Sequence, residues 1–438
     1  MLKGINPRTR MQDIKDTLAT CIEIVNKKPI LIIEADVIIV GGGAAGFFTA
    51  INLAENNPAL KVIILERSSE VLTKVRISGG GRCNVTHAEF ASKDLSQNYP
   101  RGEKELLGPF HTFMTGDTIE WFEKKGVPLK IEKDGRMFPE SNSSKTIIDC
   151  FLNEAERLHV EVLKQHPVKS IQKEENEWMV ETEQNNFKAK KIVITTGSNV
   201  KIWKLLSDLG HTILPPIPSL FTFNIKDNRI KELPGIATNA SVSVLSENHK
   251  TQLESEGPLL ITHWGLSGPA ILKLSAWGAI DLYHLNYQFK IKVNWIPSET
   301  REAVLEKLKD LKEVNSKQSV LKYAQLEIPK RLWQSLAISS GIAEIQKWGE
   351  TTNKQLQELA SQLTNSIFQV QGKSTFKEEF VTAGGIDLKE INFKRYESKV
   401  HKDLFFAGEV LNIDAITGGF NFQNAWTGGY IVAKSIAE

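Results

Sequence analysis

The sequence predicts an α/β fold with a Rossmann-like nucleotide-binding domain split between the two ends of the chain. Three observations carry that prediction. Asp36–Gly46 reads Asp-Val-Ile-Ile-Val-Gly-Gly-Gly-Ala-Ala-Gly, a short apolar strand running into glycines at G-x-G-x-x-G spacing. A proline-rich stretch, Leu214-Pro-Pro-Ile-Pro218, then marks a change of character in mid-chain. Glycine-rich, acid-containing loops return after Phe380 and feed a last helix.

In the first motif, Gly41 permits the turn out of the strand. Gly43 leaves room for a pyrophosphate at the backbone, and Gly46 lets the helix pack against the strand. The helix, about Ala44 to Asn56 and including Ala45, is mostly apolar, and its N-terminus offers free N–H groups to phosphate. Lys61–Leu65 reads as the second strand. Glu66 closes it twenty residues after Gly46, where an acid accepts hydrogen bonds from a ribose hydroxyl. Arg67 follows directly.

Lys74–Asn84 holds three consecutive glycines among basic and polar residues, which suits backbone wrapped around a ligand rather than a core. Gly80, Gly81 and Asn84 are candidate contacts, and Arg76 and Arg82 have the chemistry to neutralise phosphate. Cys83 stands in this loop either as an acid near a reacting carbon or as a small packing residue. Residues 88–108 read as a polar excursion. Beyond them come a helix at Asp117–Lys125, a hairpin turning at Asp134-Gly135, a helix at about Lys145–Leu158, and short strands before the buried strand Lys191–Gly197.

Residues 212–298 alternate apolar and polar in short runs, the mark of antiparallel strands. Within them Ile261–Pro269 forms a Gly- and Pro-punctuated loop in which His263 either faces a substrate or serves a structural hydrogen bond. Residues 299–370 carry helical periodicity. The expected domains are an N-terminal extension over 1–35, a discontinuous nucleotide-binding domain over 36–200 and 376–438, and an insert over 201–375.

Composition narrows the function classes. A chain of 438 residues with 41% hydrophobic and 24% charged residues is ordinary for a multidomain globular protein. The net charge of +2 neither demands nor excludes a nucleic-acid partner. Three distant cysteines form no metal spacing and no disulfide framework, so no metal is expected and a reducing cytoplasm is favoured. Neither a secretory pattern nor an apolar run of transmembrane length is found, so no membrane association is expected.

Taken together, the motifs at Gly41–Gly46, Ile77–Asn84, Thr262–Pro269, Phe380–Gly385 and Ala407–Gln423 resemble those of the HI0933-like (YhiN/BaiN-type) flavoprotein family over about residues 36–438. The string Ser-Gly-Gly-Gly-Arg-Cys-Asn belongs to that family rather than to Rossmann proteins at large. The resemblance implies a two-dinucleotide-binding flavoprotein: a discontinuous FAD-binding domain with an inserted β-barrel-like and helical domain. It implies Glu66 on the adenosine ribose, Val168 with Thr196 and Gly197 at the adenine end, and Gly408 and Glu409 along the phosphate–ribityl region. Asp414, Gly418, Gly419 and Asn421 would border the isoalloxazine. With no second glycine fingerprint, NAD(P)H is expected to visit the flavin transiently as reductant. The implied chemistry is hydride transfer to an activated C=C bond, either in a steroid-type enone or in uridine of ribosomal RNA; the other class of reading is a non-catalytic FAD-binding redox module. The proton donor would be Cys83 or His263. Oligomeric state is left open by the sequence.

Overall fold

A computed structural model describes residues 31–245, 253–374 and 381–438. Most of the N-terminal extension, Cys21 and Phe380 lie outside the described residues.

A mixed sheet forms the larger unit. Ile32–Val40 is its centre, flanked in parallel by Val62–Leu65 and Asn186–Ile194; Glu161–Leu163 lies outside the former and Leu404–Phe406 outside the latter. The central strand starts at Ile32, so part of the expected extension is sheet, with Ile32–Ala35 paired to Asn186–Ala189. Its inner half, Val37–Val40, is fully buried, as a parallel strand covered on both faces must be. Helix Ala44–Asn56 covers one face and packs along helix Phe420–Ala437, so the first and last motifs of the chain are neighbours. The sheet and these helices share one hydrophobic core, built from residues between Val37 and Leu206 and between Ile386 and Ile436.

Register determines where the motifs meet. Val40 pairs with Leu65 and with Ile194, and Ile194 pairs with Phe406. Four parallel strands therefore end at one edge, and the segments starting at Gly41, Glu66, Thr195 and Ala407 leave it side by side. Ligands of α/β sheets bind at this carboxyl edge.

The second unit is a closed six-stranded barrel of Thr222–Ile225, Gly265–Ser267, Glu254–Ile261, Ala237–Leu245, Gln288–Asn294 and Ser366–Ser374, with its own core. The helices Arg301–Val314, Lys330–Ser339 and Asn353–Thr364 pack on it. The expected helical stretch thus ends early: residues 366–370 are strand, and their alternating burial shows a period of two.

The proline-rich stretch is itself a strand. Ile213–Ser219 pairs with Val381–Ile386 in a two-stranded sheet linking the units, and the register shifts between Leu214 and Ile217. Pro215 and Pro216 have no N–H to donate, so the ladder skips them. The polar excursion at 88–108 contains two short helices, Ser92–Ser96 and Glu103–Phe110. No helix among the described residues is long and apolar enough to cross a membrane.

Candidate active site

The motif residues form a chain of contacts along the sheet edge. Gly41 turns out of the central strand and donates its N–H to Leu65 O at 2.8 Å. A Cβ on Gly46 would stand 2.0 Å from Gly41 O, so the glycine is demanded by the close approach of helix and strand. Thr195 accompanies the same turn, its hydroxyl donating to Gly41 O at 2.9 Å. Thr196 follows with a buried Oγ1 that has no partner. A Cβ on Gly197 would lie 3.6 Å from Glu409 Oε2, and one on Gly408 would lie 3.3 Å from the Cβ of Ala45. Glu409 reaches across to Lys74 Nζ at 2.5 Å, which brings the loop 74–84 into the group. At the far end of that loop, a Cβ on Gly419 would meet Asn84 Oδ1 at 2.8 Å. Val168 is half-buried beside the outer strand of the sheet and packs on the core.

These residues fit FAD. A Cβ at Gly43, Gly80 or Gly81 would meet nothing within 4 Å, so all three glycines face open space where phosphates need access. Gly43 caps helix Ala44–Asn56 without a side-chain cap, leaving the helix N-terminus to an anion. Glu66 is fixed over the turn: Oε2 accepts from Gly42 N and Oε1 from Ser68 N, each at 2.9 Å. Each oxygen keeps a lone pair for a ribose hydroxyl. The buried, unpartnered oxygens of Asn84 and Thr196 lie along the same route.

Most of the other predicted residues are held by contacts of their own. Cys83 is fully buried at φ 63°, and desolvation pushes its thiol up to about 12. Such a thiol stays protonated at neutral pH and packs in the loop. Arg82 lies over the ring of Phe138 at 3.8 Å and pairs with Glu132 at 2.6 Å, so its charge is already matched. Arg76 is exposed and pairs with Glu70 at 3.5 Å; Arg67 is exposed. Asp414 is fully buried and its carboxylate is gripped at both oxygens by Arg101. Burial pushes its carboxyl up, and the Arg101 guanidinium opposes that rise. Asn421 closes the loop instead, exchanging bonds with Ala415 N at 3.0 Å and Ala415 O at 3.3 Å. Gly418 turns into the last helix with φ 139°. His263 is exposed in the barrel turn Thr262–Gly265, whose bonds are internal to the barrel.

Three residues that the sequence reading missed shape this site. His87 holds Gly418 O through Nδ1 at 3.0 Å and stacks on Phe420. Gln423, fully buried, accepts from Thr86 and Thr118 hydroxyls at 2.6 and 2.9 Å and anchors the start of the last helix. Arg101 is the third. Each acts on a partner hundreds of residues away, so no local spacing marks it.

With this geometry in place, comparison with known proteins is informative. The family model of the HI0933-like protein Rossmann domain matches residues 35–435. Among curated relatives, the 3-dehydro-bile acid delta(4,6)-reductase of Clostridium scindens is 25% identical, the alignment covering 91% of this chain and 98% of the relative. The ribosomal RNA dihydrouridine synthases of Escherichia coli and Haemophilus influenzae are 28% and 26% identical, each alignment covering 92% of this chain and 98% of the relative. The chain belongs to the HI0933-like family and is an FAD-dependent oxidoreductase.

Proposed function

We propose that the protein uses NAD(P)H to reduce a carbon–carbon double bond conjugated to a carbonyl, and that uridine in ribosomal RNA is the acceptor. The observation that carries the reading is the glycine turn at the sheet edge, where an added side chain on Gly43 would meet only open space and Glu66 is fixed over the turn, with Gly80 and Gly81 open in the same way. Both named activities among the relatives reduce such a bond, so one chemistry covers them. FAD bound there supplies the hydride chemistry.

The chain's own residues bind and orient. Gly41–Gly46 and the helix N-terminus behind them hold the pyrophosphate, and Glu66 the ribose. His87 holds Gly418 O, while Gln423, bonded by Thr86, and Asn421, bonded by Ala415 N, brace the start of the helix that follows the Gly418–Gly419 turn. Hydride addition to a conjugated C=C bond leaves an enolate that needs one proton. The burial of Cys83 favours His263 or solvent as the source of that proton. Trp264, 58% exposed beside exposed His263, offers a free ring face of the kind on which unpaired bases stack. The bile-acid relative favours a second reading, a small steroid-type enone.

The test is anaerobic. The FAD-loaded protein is reduced with NADH or NADPH, then mixed with unmodified ribosomal RNA fragments or a steroid enone while flavin absorbance is followed. Rapid reoxidation by RNA supports the proposal. Reoxidation by the enone alone moves the substrate to the second reading, and reoxidation by neither removes the C=C assignment.

A further inference from the structure

The segment Asn98–Gly102 is a mould for the loop that enters the last helix. Asn98 O accepts from Ile416 N at 3.0 Å, and the Tyr99 hydroxyl donates to Phe420 O at 2.5 Å. Arg101 and Asp414 form an isolated antiparallel bridge. At Gly102, φ 96°, a Cβ would stand 2.8 Å from Ile413 Cγ1, so nothing larger than glycine fits there.

Arg101 extends this mould into the second unit. Its Nε and Nη2 hold the two oxygens of Asp414. Nη1 donates to Ala276 O at 2.7 Å, and Nη2 also reaches Ser219 Oγ at 3.2 Å. Ala276 lies in the last turn of helix Pro269–Trp277, where a cation is favoured by the helix dipole. Ser219 ends the strand that leads into the barrel. The arginine side chain is 9% exposed and the aspartate 0%. One planar fork thus joins the loop of the FAD domain, the linker strand and a barrel helix. A lysine ammonium cannot reproduce that geometry.

We propose that Arg101 is a positioning residue that couples the seating of the barrel unit to the shape of the Asp414–Asn421 loop, so that this loop, the linker strand and helix Pro269–Trp277 move as one piece. The proposal rests on the FAD groove assigned above, and its first two readouts need no acceptor.

The experiment compares Arg101→Lys and Ser219→Ala with the wild-type holoenzyme. Arg101→Lys keeps the charge opposite Asp414 but loses the fork. Ser219→Ala removes the linker-strand hydroxyl that bonds Arg101 and Asp414, and leaves the guanidinium fork on Asp414 and Ala276 in place. Three quantities are read: the rate of FAD release on dilution, the rate of limited proteolysis at residues 213–220, and KM and kcat with the acceptor that reoxidises the flavin. For Arg101→Lys the expectation is FAD release and junction cleavage each faster by about tenfold, the loss of a bond or two of this kind. With an acceptor, KM should rise more than kcat falls. For Ser219→Ala, junction cleavage should accelerate about threefold with FAD release unchanged. A purely structural arginine would lower thermal stability without that pattern. Wild-type release and cleavage rates in Arg101→Lys would overturn the proposal, and so would a wild-type cleavage rate in Ser219→Ala if the lysine variant does not fold. Failure of every acceptor with wild-type protein would count against the functional reading and leave the first two readouts to decide on Arg101.

Discussion

At Gly43 and Gly46, three residues apart, an added side chain has opposite consequences. Gly46 abuts Gly41 O, so Gly46→Ala forces helix and strand apart and should cost about 3 kcal/mol of apo-protein stability, read by denaturant unfolding. Gly43 faces open space with extended backbone, so Gly43→Val should fold with stability within about 0.5 kcal/mol of wild type yet purify without yellow colour. Full FAD occupancy in Gly43→Val would remove the pyrophosphate assignment. Cys83 carries a second prediction at this scale. Its thiol is raised from 9.0 to about 12 by burial, and that of Cys150 likewise to about 12. Between these values the folded state holds protons that the unfolded chain releases. The stability from this source is therefore complete below pH 9 and is lost as pH rises towards 12, by about 1.4 kcal/mol per pH unit for each thiol. Cys83→Ala should flatten that alkaline decline while leaving acceptor turnover at neutral pH unchanged. A large loss of turnover would restore Cys83 as the acid.

At the scale of elements, the last helix holds the two chain ends together. Trp426 packs among Phe48, Phe122 and Phe151 and donates Nε1–H to Val85 O at 2.9 Å, behind the glycine-rich loop. Trp426→Phe keeps most of the apolar contact and orphans that carbonyl, so a loss of about 1–3 kcal/mol is expected in equilibrium unfolding. An unchanged midpoint would mean that the loop does not depend on the helix. Elements with a local signature were legible in the sequence. Strand, glycine turn and helix at 36–56 announce themselves because backbone approach dictates glycine at fixed offsets, and the hairpin at Asp134-Gly135 because the turn needs those residues. Ile213–Ser219 was not legible as a strand. Proline normally argues against one, and only its partner Val381–Ile386 makes the pairing visible. Ser366–Ser374 was hidden by the helix Asn353–Thr364 immediately before it. In the site, Gly43 and Glu66 are candidates from spacing and Gly80 from a run of three glycines, whereas His87, Arg101 and Gln423 work through partners more than three hundred residues away. The burial of Cys83 is likewise a property of the packed loop and not of its sequence.

At the scale of the molecule, two cores divide the labour. The core around the parallel sheet presents the cofactor groove at its carboxyl edge, and the barrel core carries Trp264 and His263 on an exposed turn. The strand pair Ile213–Ser219 with Val381–Ile386, a small cluster of Ile217, Ala279 and Ala383, and the Arg101 fork join them. With RNA as the acceptor, binding should weaken with salt as phosphate contacts are screened. The most direct measurement of the central claim is nucleoside mass spectrometry after incubating unmodified ribosomal RNA with the FAD-loaded protein and NAD(P)H under anaerobic conditions. The account predicts that uridine gains two hydrogen atoms at a defined site and that Gly43→Val forms none of this product. Unchanged uridine throughout, with NAD(P)H consumed only by oxygen once air is admitted, would contradict it.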